Sequence, residues 1–187
     1  MKRFLPGLIA LLGATAVSAQ HAHAPHEHGV AALRVAIDGE LLQIEFASPL
    51  DNLVGFEHAP RTDKQRKALA DAEKLLNRFE RLFVVPKAAA CTVTGVELEH
   101  PLDEHAAHEH ADNGHDHKHG DKDGQDGDHA ELSVTYTLRC TAPAALDTLQ
   151  VKVFDAFPRT GRIRAERVSP RGQSAATLSA KQRTLAL

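Results

Sequence analysis

Apolar and polar residues alternate along several short stretches of this chain of 187 residues. The alternation is clearest at Leu33, Val35 and Ile37, and it resumes over 42–46. Between the two runs stands Asp38-Gly39, a dipeptide that favours tight hairpin turns. Side chains two apart on a strand point to the same face. The pattern therefore predicts a β-hairpin with one face in the core.

Further strand-like runs cover 91–99, 131–140, 149–157 and 162–169, and the segment 173–187 can add one or two short strands. Proline and glycine mark the turns between them. Short strands joined by tight turns are typical of an antiparallel meander. We predict a sheet of about 6–8 antiparallel strands.

One segment, Thr62 to Val85, has helical periodicity instead. Thr62 and Gln65 form a capping-box pattern, and Pro86 follows the last apolar residue. Apolar residues recur at helical spacing and charged residues occupy the opposite face. The prediction is one long amphipathic helix covering the sheet, which makes the class α+β. We place a single domain over 30–187.

The pattern breaks between residues 100 and 129. This insert contains almost no apolar residues, and it holds eight of the 13 histidines, interspersed with Asp and Glu. Because strand-like runs flank it, we predict a disordered loop at the tip of a hairpin. Its candidate metal ligands are His100, His105, His108, His110, His115, His117, His119 and His129, with Asp116 as a possible addition.

The first 19 residues have the pattern of a secretory signal peptide. Two basic residues precede the apolar run Phe4 to Val17, and cleavage is expected after Ala19. We therefore expect a periplasmic protein with no membrane insertion after cleavage. Cleavage removes Lys2 and Arg3 from a chain of formal net charge -3. The resulting acidic, His-rich protein suits binding of cations, not of nucleic acid.

A second histidine cluster begins the mature chain, over 20–29, and we expect this terminal segment to be mobile. Its members are His21, His23, His26 and His28. The spacing His-x-His recurs here and in the insert. In extended chain it places two imidazoles on one side, so both can reach one ion. Imidazole and carboxylate donors suit several Zn²⁺ ions, although the same donors also bind Ni²⁺ and Cu²⁺.

The segment 48–60 is predicted to be a loop, because it contains two prolines and a glycine. Its apolar residues indicate that it packs on the body of the protein. Asp51, Glu57 and His58 are its possible ligands. For His58 a structural role in the loop competes with a role in metal binding.

Two cysteines, Cys91 and Cys140, lie at the outer ends of the strands that flank the insert. In an exported protein such a pair favours a disulfide, which would close the hairpin. A metal site that uses cysteine is the alternative. No catalytic motif, phosphate loop or nucleotide fingerprint occurs in the sequence, so we do not expect an enzyme.

Three features of the sequence occur together: HEHGVAALRVAIDGELLQIEFASPLDNLVGFEHAPRT, the His/Asp-rich insert between two Cys strands, and VKVFDAFPRTGRIRAERVSPRGQ. In this combination they resemble the ZrgA-like family of zinc-regulated periplasmic proteins of Gram-negative bacteria. The resemblance implies a zinc-binding protein that assists zinc acquisition and delivers metal to the periplasmic receptor of an ABC importer. It matches His26, His28, Asp51 to His58 and the histidines of the insert.

The sequence thus favours a periplasmic zinc buffer or metallochaperone. One alternative is a nickel- or copper-binding sink for detoxification, because composition does not separate these metals. Another is an exported module, an enzyme or an adhesion domain, with an incidental His-rich loop. A deep pocket lined by polar groups away from the insert would favour that last alternative.

Overall fold

The computed structural model describes residues 27–99 and 130–187. The predicted signal peptide, the histidines before residue 27 and the insert 100–129 lie outside the described residues. Among the helices that the structure describes, none is long and apolar enough to cross a membrane.

Six strands form the main sheet, and their order in space is β4-β5-β2-β1-β7-β8. Their bounds are β1 Val30–Asp38, β2 Leu41–Pro49, β4 Cys91–Glu99, β5 Glu131–Cys140, β7 Arg162–Ser169 and β8 Gly172–Ser179. A second, three-stranded sheet has the order β3-β6-β9. Its strands are β3 Phe83–Val84, β6 Thr148–Val151 and β9 Thr184–Ala186.

The prediction of a simple antiparallel meander is wrong at the centre of the main sheet. β1 and β7 pair in parallel, with Val30 opposite Arg162, whereas the other pairs of this sheet are antiparallel. Backbone hydrogen bonds at the starts of β1 and β7 explain why the two strands run in parallel. The N–H groups of Gly161 and Arg162 both donate to the carbonyl of Gly29, at 2.8 and 2.9 Å. Both strands therefore begin at the same end of the sheet.

Four short α-helices are described: α1 Leu50–Val54, α2 Asp63–Leu76, α3 Phe79–Leu82 and α4 Val153–Ala156. The class α+β is consistent with this, and the capping box of Thr62 and Gln65 is confirmed. Two local predictions are corrected. The segment predicted as a loop contains α1, and the strand predicted over 149–157 is β6 followed by α4.

The single long helix predicted to reach Val85 is also corrected, because α2 ends at Leu76. Asn77 caps it, and both its backbone N–H and its side-chain amide donate to the carbonyl of Glu73. The Tyr136 hydroxyl donates to the Leu76 carbonyl. Carbonyls in the last turn of a helix have no partner within the helix. The side chains of Asn77 and Tyr136 thus provide hydrogen-bond donors for the last carbonyls of α2. The helix can therefore end here, and the chain turns into α3.

One hydrophobic core joins both sheets and the helices. The inward face of the β1–β2 hairpin contributes Leu33, Leu42, Ile44 and Phe46, each with 0% exposure. Leu76 belongs to the same core cluster. The hairpin and its buried face were predicted correctly from the alternation, with Asp38 opposite Leu41 across the turn. This core holds the main sheet against the second sheet and the helices.

The disulfide between Cys91 and Cys140 is confirmed, with an S–S distance of 2.04 Å. The two residues are direct partners in the register of β4 and β5. At the other end of the same strand pair, Glu99 lies opposite Ser133. The insert therefore connects two strands that are cross-linked at the end remote from it.

Candidate functional site

Three segments that are distant in sequence meet at one end of the main sheet. Residues 27–29 lead into β1, α1 follows β2, and the turn 158–161 leads into β7. Because β1 and β7 begin at this end and β2 finishes there, the three segments become neighbours. We call this the His28 end of the sheet.

A buried asparagine on α1 holds the main chain beside His28. Asn52 is only 1% exposed. Its side-chain oxygen accepts from the N–H of Gly29 at 2.7 Å, and its amide donates to the Val30 carbonyl at 3.1 Å and to Ser48 Oγ at 3.2 Å. Gly29 has a φ of +76°, a conformation that glycine adopts without strain. The start of β1 is thereby fixed against α1.

Glu27 fixes the chain on the other side of His28. Its two carboxylate oxygens pair with Arg162 at 2.5 Å and with Arg164 at 2.8 Å. These contacts are exposed, and each exposed ion pair stabilises a fold only slightly. Together with Asn52 they set the direction in which His28 leaves the main chain.

The His28 imidazole lies between two carboxylates, and we call His28, Asp51 and Glu57 the His28 site. Nδ1 is 3.4 Å from Asp51 Oδ2, and Nε2 is 3.7 Å from Glu57 Oε1. The imidazole is 63% exposed, whereas the two carboxylates are about 20% exposed, at 21% and 19%. Half-buried carboxylates beside an accessible imidazole provide one nitrogen and several oxygen donors for a cation.

A guanidinium shares one of these carboxylates. Arg159 Nη2 is 3.3 Å from Asp51 Oδ1, the oxygen that does not contact His28. Asp51 therefore has a different partner on each oxygen. The formal charge of His28, Asp51, Glu57 and Arg159 together is -1 when the imidazole is neutral, so the group attracts cations.

His58 has different partners from His28. Its Nδ1 lies 2.8 Å from the carbonyl oxygen of Ala59, and its ring stacks on Phe56 with centroids 5.4 Å apart. A carbonyl can only accept, so Nδ1 carries the proton in this contact. In the neutral imidazole Nε2 then has the lone pair, which is the arrangement that orients an imidazole as a ligand. The structure thus gives His58 a local role and also leaves one nitrogen suitable for a metal.

The insert joins the fold at the His28 end as well. Leu50, the first residue of α1, donates its N–H to the carbonyl of Ala130 at 2.8 Å, and Ala130 directly follows the insert. On the other side of the insert, β4 ends at Glu99, opposite Ser133 near the start of β5. The first histidine cluster and the insert therefore both join the described chain beside Asp51.

Within residues 27–99 and 130–187, no group of three or more His, Cys, Asp or Glu side chains is arranged to hold a metal ion. In the His28 site the imidazole itself occupies the space between the carboxylates. Binding an ion there requires the ring to turn away first. Since the imidazole is mostly exposed, this movement meets little packing.

The structure brings together three predicted ligands, His28, Asp51 and Glu57, and separates His58 from them by giving it other partners. The other predicted ligands lie outside the described residues, and their roles stay predictions. They are His21, His23, His26, His100, His105, His108, Asp116, His110, His115, His117, His119 and His129.

Sequence reasoning missed Asn52 and Arg159. Asn52 stands within a run that was noted for its acidic residues, and its burial follows only from the presence of α1. Arg159 lies between the strands predicted over 149–157 and 162–169, and its contact with Asp51 spans 108 positions of sequence. The one signal for both was their presence in the motifs that carry the family resemblance.

Comparison with known proteins agrees with this resemblance. The model of a family described as ZrgA family zinc uptake protein matches residues 25–187. That range includes every segment of the His28 end as well as the insert. A search of the curated proteins found no match. The chain belongs to the ZrgA family of zinc uptake proteins, and its role is therefore related to zinc uptake.

Proposed function

We propose that this chain is a periplasmic protein that binds Zn²⁺, captures or buffers it, and assists its uptake. One observation carries the proposal. The His28 site lies at the end of the sheet where the N-terminal histidine cluster and the His-rich insert both join the fold. All the donor-rich sequences of the chain are thereby attached around one position.

Two kinds of site follow from the chemistry of the donors. The sequence predicts that the insert is a loop without an apolar core, and we propose that each ion bound by its imidazoles must also order the chain. In the His28 site the fold already brings the side chains together, and only the imidazole must turn before an ion enters. Zn²⁺ accepts both imidazole nitrogen and carboxylate oxygen. In our proposal His28, Asp51 and Glu57 supply three donors, and water or another side chain completes the coordination.

The partner we propose is the periplasmic receptor of an ABC zinc importer. The support comes from the zinc uptake family and from the predicted signal peptide, which brings the protein into the compartment where zinc is captured. A protein that transfers metal must release it. The need to displace the His28 ring before binding, and its return afterwards, favours moderate affinity.

Native mass spectrometry of residues 20–187 with zinc tests the proposal. We expect more than one bound Zn²⁺ at neutral pH. Deletion of 101–129 is expected to remove most of this capacity while circular dichroism shows an intact fold. His28→Gln in the shortened chain is expected to weaken the remaining site at least tenfold, since one of three donors is lost. The same substitution at His58 provides the comparison for an exposed histidine.

Two results would contradict the proposal. Equal zinc stoichiometry with and without the insert would show that the insert is not the main store. Preference for Ni²⁺ or Cu²⁺ over Zn²⁺ in direct competition, after allowing for their intrinsically tighter binding to nitrogen donors, would favour a detoxification sink. Expression that rises with metal excess, and not with zinc starvation, would point the same way.

A further inference from the structure

Arg159 contacts a carboxylate of the His28 site from a different segment of the chain. Its Nη2 lies 3.3 Å from Asp51 Oδ1. The opposite oxygen of the same carboxylate faces His28 Nδ1 at 3.4 Å. A metal ion that used both oxygens of Asp51 would therefore compete with Arg159 for one of them.

The fold positions this guanidinium. Arg159 lies in the turn before β7, and this turn is fixed on both sides. The N–H of Thr160, a residue only 3% exposed, donates to the Phe157 carbonyl at 3.0 Å. The N–H of Gly161 donates to the Gly29 carbonyl. Backbone hydrogen bonds thus hold the turn that carries Arg159 against Gly29, the residue that follows His28.

Gly55 provides the space into which the side chain extends. A Cβ atom at residue 55 would lie 3.2 Å from Arg159 Nη1 and 3.4 Å from its Cζ. Gly55 is also the C-cap of α1, with a φ of +87° that favours glycine. The last turn of the helix that carries Asp51 is therefore in contact with the guanidinium.

We propose that Arg159 is an affinity-limiting residue of the zinc site, a fixed counter-ion that occupies Asp51 when the site is empty and that Zn²⁺ must displace. This inference rests on the proposed function, because it assumes that zinc binds at the His28 site. It assigns to Arg159 a role in release and not in coordination.

Charge gives the reason. Without Arg159, a neutral His28 with the Asp51 and Glu57 carboxylates carries a formal charge of -2, which complements a divalent ion. The guanidinium reduces this to -1 and keeps its charge at any pH at which the protein is folded. Because Arg159 is already paired with Asp51, binding of a second cation to this carboxylate is less favourable. When the metal leaves, the guanidinium returns and again neutralises the charge of Asp51.

The same contacts make the empty state easy to regain. Asp51 is 21% exposed and Arg159 is 59% exposed, so the guanidinium can leave into water without unpacking the core. A chain that passes zinc to an importer receptor needs this property. A site without such a counter-ion would hold zinc more tightly and deliver it more slowly.

Imidazole ¹⁵N NMR on labelled residues 20–187 tests the proposal at one residue in the full mature chain. The signals of His28 are assigned from their loss in His28→Gln. Free zinc is set with a chelator buffer, and the midpoint of the His28 response is measured for each variant. This readout isolates the site from the histidines of the insert.

Arg159→Gln is expected to lower the free zinc concentration at the midpoint about tenfold, the effect of removing one charge about 6 Å from a divalent ion in a water-like dielectric. Arg159→Lys keeps the charge and is expected to stay within about twofold of the natural chain. Arg159→Met, which keeps the aliphatic stem, is a second uncharged variant in case glutamine weakens the fold.

The matched control is Arg139→Gln. Arg139 pairs with Glu40 at 2.9 Å, beside the β1–β2 turn and so at the opposite end of the sheet. This control loses the same charge, and its midpoint is expected to stay unchanged. Equal midpoints for the Arg159→Gln, Arg139→Gln and natural chains would overturn the role of Arg159 alone. If the ¹⁵N signals of His28 did not change at saturating zinc in any variant, the proposed zinc site would be overturned as well.

Discussion

At the scale of single residues, Asn52 determines where His28 stands. Replacing it with alanine leaves the Gly29 N–H and the Val30 carbonyl without their side-chain partner. Buried polar groups that lose a partner cost about 1–3 kcal/mol each. We expect Asn52→Ala to lower the free energy of unfolding by about 2–3 kcal/mol, measured by urea denaturation.

Asn77→Ala is the control for this substitution. Asn77 also donates to a backbone carbonyl, that of Glu73 at 2.9 Å, but in an exposed position. Its loss should cost less than about 1 kcal/mol, because water replaces the lost partner. Equal losses at the two positions would show that burial of Asn52 is not what makes its contacts important.

Tyr136 is the only tyrosine of the chain, and its titration is therefore directly visible. Burial, with a smaller contribution from the charge of Glu80, raises the pKa of Tyr136 well above its ordinary value. We expect no tyrosinate absorbance at 295 nm from the folded protein near pH 10, where an exposed tyrosine is half ionised.

The raised pKa of Tyr136 also affects stability. The unfolded chain loses the phenol proton near pH 10 while the folded chain keeps it, so stability is fully present below that pH and falls as pH rises above it. Tyr136→Phe should remove this part of the decline. Tyrosinate formation at pH 10 without loss of the fold would contradict the burial of the hydroxyl.

Residue-scale features could be predicted from the sequence where their partners are close or chemically unique. Thr62 and Gln65 are three apart, and the local spacing was sufficient for the capping box. The two cysteines had only each other to pair with. Arg159 and Asp51 are joined only by the fold, since Gly29 brings their segments together, and no local pattern records that contact.

At the scale of elements, the β4–β5 hairpin joins the disulfide to the insert. Cys91 and Cys140 are 49 positions apart, and the chain-entropy model gives a cross-link over such a loop about 4 kcal/mol. We expect the double substitution by serine to lower the free energy of unfolding by about this amount. Deleting 101–129 shortens the loop and should reduce the disulfide contribution by less than about 1 kcal/mol.

Urea denaturation of four chains measures both effects: the natural chain, the serine variant, the deletion, and their combination. The logarithmic dependence on loop length is the basis of the expectation. If the disulfide contribution disappeared together with the insert, the disulfide would be stabilising the insert and not the sheet.

Among the elements, alternation and turn residues were sufficient to predict the β1–β2 hairpin and the two strands around the insert. They were insufficient for the pairing of β1 with β7, because parallel partners share no turn that would reveal them. The end of α2 was also missed. The apolar residues Phe79, Leu82 and Phe83 continue the helical spacing past Asn77. In the structure, however, the chain turns after Asn77, and these residues enter the core from α3 and β3.

At the scale of the whole molecule, one consequence of the fold is that the ends of several strands meet at the His28 end of the sheet. β1, β5 and β7 begin there, and β2 and β4 end there. The donor-rich sequences could be read from composition alone. Their attachment around His28 and Asp51 could not, because it depends on the order of strands in the sheet.

This arrangement leads to a prediction about zinc and global stability. An ion bound only by histidines of the insert can remain bound when the sheet unfolds, and it then changes stability little. An ion at the His28 site links residue 28 to residues 51 and 57, which separate on unfolding. Binding only to the folded state stabilises it by about 2.7 kcal/mol when free zinc is 100 times Kd.

We therefore expect zinc to raise the unfolding midpoint of residues 20–187, and a chelator to reverse the increase. The chain without 101–129 should keep most of the increase, and His28→Gln should lose most of it. Thermal unfolding followed by circular dichroism at several zinc concentrations measures each. An increase that depended on the insert and not on His28 would place the stabilising ion outside the His28 site, since only ligands that the fold brings together are lost when it unfolds.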